Sequence, residues 1–151
     1  MKSIFEILSR GASGNARNGY DGAANLLAEI NIVELLNQAI QAAQKVYPSM
    51  LQNSSTRIFA ETSLEILIKA IACAYRVDGT ERLKLLKSFL PQVEAFPSRT
   101  RRIINSSIID ALLILEGDAD LSQIKIVIGT FIADGDQYVA DYAREALEEV
   151  G

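Results

Sequence analysis

Histidine is absent from the 151 residues. That removes the side chain most often used as a general base and the commonest nitrogen ligand for metals. Cys73 is the one cysteine, and its neighbours Ile71, Ala72 and Ala74 place it on an apolar helix. Such surroundings make an inert core thiol, not an activated thiolate. A lone cysteine also forms no intramolecular disulfide and no thiolate metal site, which fits a reducing compartment, with the cytoplasm as default. Gly14 and Gly19 have the spacing of a phosphate-binding loop, but Tyr20 and Asp21 follow where that loop needs a lysine and a hydroxyl residue. The segment reads as a linker.

The acidic residues suggest more than they deliver. Asp134 and Asp136, with Glu145 further on, echo a calcium loop, yet Tyr138 stands at a ligand position and Val139 where glycine is required. This reads as an interhelical turn with an N-cap, and Glu116, Asp118 and Asp120 form a second turn of the same kind. Glu61 and Glu65 lie one helical turn apart, and paired carboxylates do acid–base work when their pKa values are driven apart. With no substrate-binding signature beside them, they read as a solvated helix face. No catalytic residue, cofactor or metal site is assigned.

The basic residues are more unusual. Arg99, Arg101 and Arg102 put three cations into a first helical turn, against the positive end of the helix dipole. An anion, or an acidic segment of a protein partner, would relieve that repulsion. These three arginines are the candidate partner-binding or anion-binding site.

The elements that position them are helical. Hydrophobic residues make up 49% of the chain and charged residues 23%, a globular balance and not that of a disordered chain. The net charge of −4 provides no global field for phosphate backbones, so nucleic acid is not expected as a partner. Met1 to Leu8 is too short an apolar stretch, interrupted by Glu6, for a signal segment. The most apolar window, Ile58 to Val77, carries Glu61, Glu65, Lys69 and Arg76, each costly at a bilayer centre. It predicts a core helix and no membrane partner.

Glycines and asparagines at 10–22 predict a loop, and a helix begins near Asp21. Asn31 with Glu34 reads as a capping box, and Pro48 is expected to stop the helix that follows. Asn53, Ser54 and Ser55 offer the next cap. Leu64, Leu67, Ile68 and Ile71 then trace one stripe and Ile66, Ala70 and Cys73 another, which predicts a central helix covered on several sides. Asp78 to Glu81 reads as a second capping box, and Pro91 is a candidate kink in the helix it opens. Ser98 or Thr100 is expected to cap the arginine-bearing helix, with Gly117 closing it; Asp120 caps the next. The last helix repeats Tyr138, Val139, Tyr142, Ala143, Ala146 and Leu147 on one face, with Asp141, Arg144, Glu145 and Glu148 opposite. Strand content should be close to zero.

Ile58, Glu65, Ile66 and Leu67 overlay on Ile103, Asp110, Ala111 and Leu112, and again on Tyr138, Glu145, Ala146 and Leu147, as helix pairs of a solenoid would. From Phe131 to Val139, with Ala143, Ala146, Leu147 and Val150, the chain resembles a HEAT-type (HEAT/armadillo-like) repeat, with Ala140 where an arginine is usual. The resemblance implies an all-α fold, a right-handed α-α superhelix of stacked antiparallel helix pairs, here as one domain over 1–151. It also implies a non-enzymatic interaction or scaffold module whose concave face holds a protein. Other relatives of such folds are phycobilin-lyase subunits or DNA-repair glycosylases, so the alternative is a subunit acting on a cofactor-bearing protein.

Overall fold

The longest apolar run folds as its periodicity predicts. Helix α1, Arg57–Cys73, buries Leu64, Leu67, Ile68 and Ile71 together with Ile66 and Ala70, so neighbours must cover it nearly all round. The computed structural model describes residues 48–74 and 76–150, together with Asn37, Ile40, Gln41, Gln44 and Lys45. The loop expected at 10–22, the helix start near Asp21 and the Asn31–Glu34 box lie outside the described residues. After α1 come α2 (Gly79–Lys87), α3 (Leu90–Val93), α4 (Ser98–Ile114), α5 (Leu121–Thr130), a 3-10 turn (Phe131–Ala133) and α6 (Gln137–Glu149). Among the described residues there is no strand, and the pairing of Glu116 with Ala119 is an isolated bridge. The fold is all-α.

Helix α1 packs most extensively on α4, and α6 lies over both α4 and α5. One apolar core runs through these contacts, including Leu67, Phe89, Ile104, Leu112, Ile128 and Val139. The outer face of α6 is polar as expected: Asp141, Arg144, Glu145 and Glu148 are all exposed. Tyr138, assigned by its spacing to the apolar face, is instead 53% exposed. It stacks on Tyr142, with ring centroids 6.1 Å apart.

Three of the expected helix starts are made by aspartates. Asp78 accepts from the Thr80 amide at 3.1 Å, Asp120 from the Ser122 amide at 2.9 Å, and Asp136 from the Tyr138 amide at 2.9 Å. Each satisfies a donor that the helix itself leaves orphaned. The helix expected to close at Gly117 ends at Ile114 with Leu115 as its C-cap, and Gly117, two residues on, takes a φ of +93° in the following turn, a conformation that glycine alone adopts freely.

The other boundaries differ from the sequence reading for identifiable reasons. Pro48, expected as a helix stop, is itself in a helical segment: positions 48–51 are helical, and Leu51 is buried, which favours that conformation over a break. Asn53 organises a turn, accepting from the Ser55 amide at 3.0 Å, and α1 starts after Thr56 with no side-chain cap. Pro91 does more than kink. The helix breaks at Ser88 and Phe89 and restarts as α3, because a proline ring collides with the carbonyl four residues earlier. Pro97 occupies the N-cap position of α4, leaving Ser98 inside the helix, while Thr100 is fully buried and bonds elsewhere. Cys73, expected in the core, ends α1 and is only partly buried.

The turn after α1 is locked to the turn after α4. Arg82, only 3% exposed, donates to the carbonyls of Val77 (2.9 Å) and Ala72 (2.7 Å) and pairs with Asp118 at 3.1 Å. Next to it, a Cβ on Gly79 would lie 1.9 Å from the Asp118 carbonyl oxygen. Only glycine permits that approach.

Candidate functional site

Because α4 begins without an acidic residue in its first turn, its arginines must find carboxylates elsewhere. Arg102 finds Asp136, the cap of α6, with its Nε 2.8 Å from Oδ2. Its guanidinium also lies 5.5 Å from the centre of the Tyr138 ring, within range of a cation–π contact. The hydrogen bond from Arg102, followed by the amides of the helix start, holds the Asp136 carboxyl below its ordinary pKa. Arg101 donates to the Ser98 hydroxyl at 3.2 Å and is exposed.

Beside these residues opens a groove of about 560 Å³, within the size range of ligand sites in proteins. Leu90, Val93 and Phe131 form its apolar part; Glu94, Ser98, Arg101, Arg102 and Asn105 approach from one side and Thr130, Asp134, Gly135 and Asp136 from the other. Asp134 is oriented by two neutral donors, the Asp136 amide at 2.8 Å and the Asn105 side chain at 3.3 Å. The three candidate arginines are therefore not equivalent. Arg101 and Arg102 line the groove, whereas Arg99 is exposed and lies off it. Glu94 was not singled out from sequence, and Asp134 was read only as part of an interhelical turn; only the topology brings α3 and the 131–136 turn to the start of α4.

A second cluster of charges lies where α1 meets α4. Glu61 is not on a solvated face: it is 6% exposed, accepts from the Thr100 hydroxyl at 3.2 Å and lies 3.8 Å from the Arg57 guanidinium. Glu65 is partly buried. Burial, then the charges of Glu61 and Asp110, push its carboxyl from 4.5 to about 7. The solvated-face reading fails because α1 is covered by α4 along the very side that carries these carboxylates. Asp110 itself accepts a hydrogen bond from the Tyr142 hydroxyl, which raises the phenol's pKa above its ordinary value, with burial adding to the effect.

Among the described residues, no group of three or more cysteine, aspartate or glutamate side chains is placed to hold a metal ion, and no helix is long and apolar enough to cross a membrane. The acidic turns at 116–120 and 134–136 act as caps and clamps. No protein-family model, curated protein or solved structure matches the chain.

Proposed function

We propose that this chain is a non-enzymatic protein-interaction module of HEAT-like helix pairs, stacked in a right-handed superhelix, which holds a segment of a protein partner in the groove beside α4. The observation that carries this reading is the groove itself, which joins an apolar floor to the exposed guanidinium of Arg101. An arginine fork grips a carboxylate through two parallel hydrogen bonds, so the partner contributes an acidic residue there. Arg102 has a different task. Already bonded to Asp136, it ties α4 to the cap of α6 and shapes the wall. Packing of α1 on α4 and of α6 on α4 and α5 agrees with stacked pairs.

The test is affinity purification from the native source with wild-type protein and with Arg101→Glu. A charge-assisted hydrogen bond contributes roughly 1.5–3 kcal/mol, equivalent to about tenfold or more in affinity. A partner retained by wild type should be lost or weakened by that factor with Arg101→Glu, while both proteins melt at the same temperature. Identical retention by the two proteins would remove the groove from the interface.

A further inference from the structure

The groove is not a cationic patch. Two arginines, Arg101 and Arg102, face three carboxylates, Glu94, Asp134 and Asp136. Arg102 and Asp136 neutralise each other at 2.8 Å, which leaves Arg101 set against Glu94 and Asp134. Neither remaining carboxylate has a cationic partner among the described residues. The donors to Asp134 are a backbone amide and the Asn105 side chain, which fix its orientation without cancelling its charge. Glu94 is exposed.

A segment rich in carboxylates would satisfy Arg101 and then press its other charges against Glu94 and Asp134. Misplaced like charges are a principal means by which interfaces reject wrong partners. The same groove is lined by Val93 and Phe131, 3% and 5% exposed, and by half-buried Leu90. That floor is too apolar to solvate a charge and suits an aliphatic side chain.

We infer that the groove selects a partner segment of mixed charge: a carboxylate on Arg101, aliphatic side chains over Leu90, Val93 and Phe131, and a cation facing Glu94 and Asp134. This rests on the reading of the groove as a partner site and replaces a generally acidic partner with a specific charge pattern.

Four acetylated and amidated peptides with Gly-flanked cores, Glu-Leu-Leu-Lys, Lys-Leu-Leu-Glu, Glu-Leu-Leu-Glu and Lys-Leu-Leu-Lys, serve as probes, titrated by fluorescence anisotropy at low salt. One of the two mixed peptides should bind at least about tenfold more tightly than either like-charged peptide. Glu94→Lys should shift the preference to Glu-Leu-Leu-Glu, and Arg101→Glu should shift it to Lys-Leu-Leu-Lys; both residues are exposed, and circular dichroism verifies that the variants remain folded. If a like-charged peptide binds wild type as well as the mixed ones, charge selection is wrong and the groove still binds. If no peptide binds at millimolar concentration to wild type or to either variant, the groove reading falls with it.

Discussion

Among the described residues, charge is drawn into the interior around Arg82 and around the Glu61–Glu65 pair, and the two surroundings differ. Arg82 is almost completely buried, yet two carbonyls and Asp118 receive its donors. Glu65 is only partly buried, yet burial and the neighbouring Glu61 and Asp110 charges make its ionised form unfavourable. The difference shows that depth alone does not decide the cost of a buried charge. The kind of neighbour counts as well: hydrogen-bond acceptors and a carboxylate surround Arg82, whereas the like charges of Glu61 and Asp110 lie near Glu65. Arg82 is a structural tie, whereas Glu65 is a local strain on the α1–α4 contact.

Removing the tie should have the largest effect. Arg82→Met keeps much of the volume but leaves the carbonyls of Ala72 and Val77 without their donor, at about 1–3 kcal/mol for each buried unsatisfied group. Asp118 is half-exposed and recovers water, so the expected loss is about 2–4 kcal/mol in urea unfolding. A loss below about 1 kcal/mol would mean that water replaces the guanidinium and that the tie is dispensable.

Gly79→Ala tests the same junction sterically. The new Cβ meets the Asp118 backbone oxygen, not the yielding tip of a side chain, so one of the two turns must move. Overpacking of this kind costs about 1–3 kcal/mol, and the midpoint of urea unfolding should fall accordingly. Combined with Arg82→Met the losses should be less than additive, because both act on the contact between the two turns.

How much of this was legible follows from what each signal depends on. The aspartate caps and the central helix were readable because capping and apolar periodicity are local properties: Asp78, Asp120 and Asp136 act on amides two residues away. Pro48 and Thr100 misled because tertiary burial overrode local preference; the Thr100 hydroxyl serves Glu61, 39 residues earlier. At the groove, the arginine cluster was visible as composition, but its division was not. Asp136 claims Arg102 from 34 residues away, and Glu94 and Asp134 oppose Arg101 only after α3 and the 131–136 turn are in place. Arg82 had no distinguishing mark, standing among lysines and leucines of an ordinary amphipathic helix.

The strained side of the comparison yields the smallest effect, and it has a sign opposite to the other two. The Glu65 carboxyl is raised from 4.5 to about 7 in the folded protein, so the folded state binds this proton more tightly than the unfolded chain. Stability from this residue is therefore full below about pH 4.5 and declines as pH rises towards about 7. Above that range the ionised group opposes folding by an amount set by the shift, and partial exposure with solvent screening reduces it to on the order of 1–2 kcal/mol. Glu65→Gln keeps the shape and removes the charge. Its stability relative to wild type should be near zero at pH 4.5 and should grow to that advantage by pH 8, measured by urea unfolding at each pH. A pH-independent difference would show that Glu65 does not titrate in this range and that the α1–α4 contact carries no electrostatic strain.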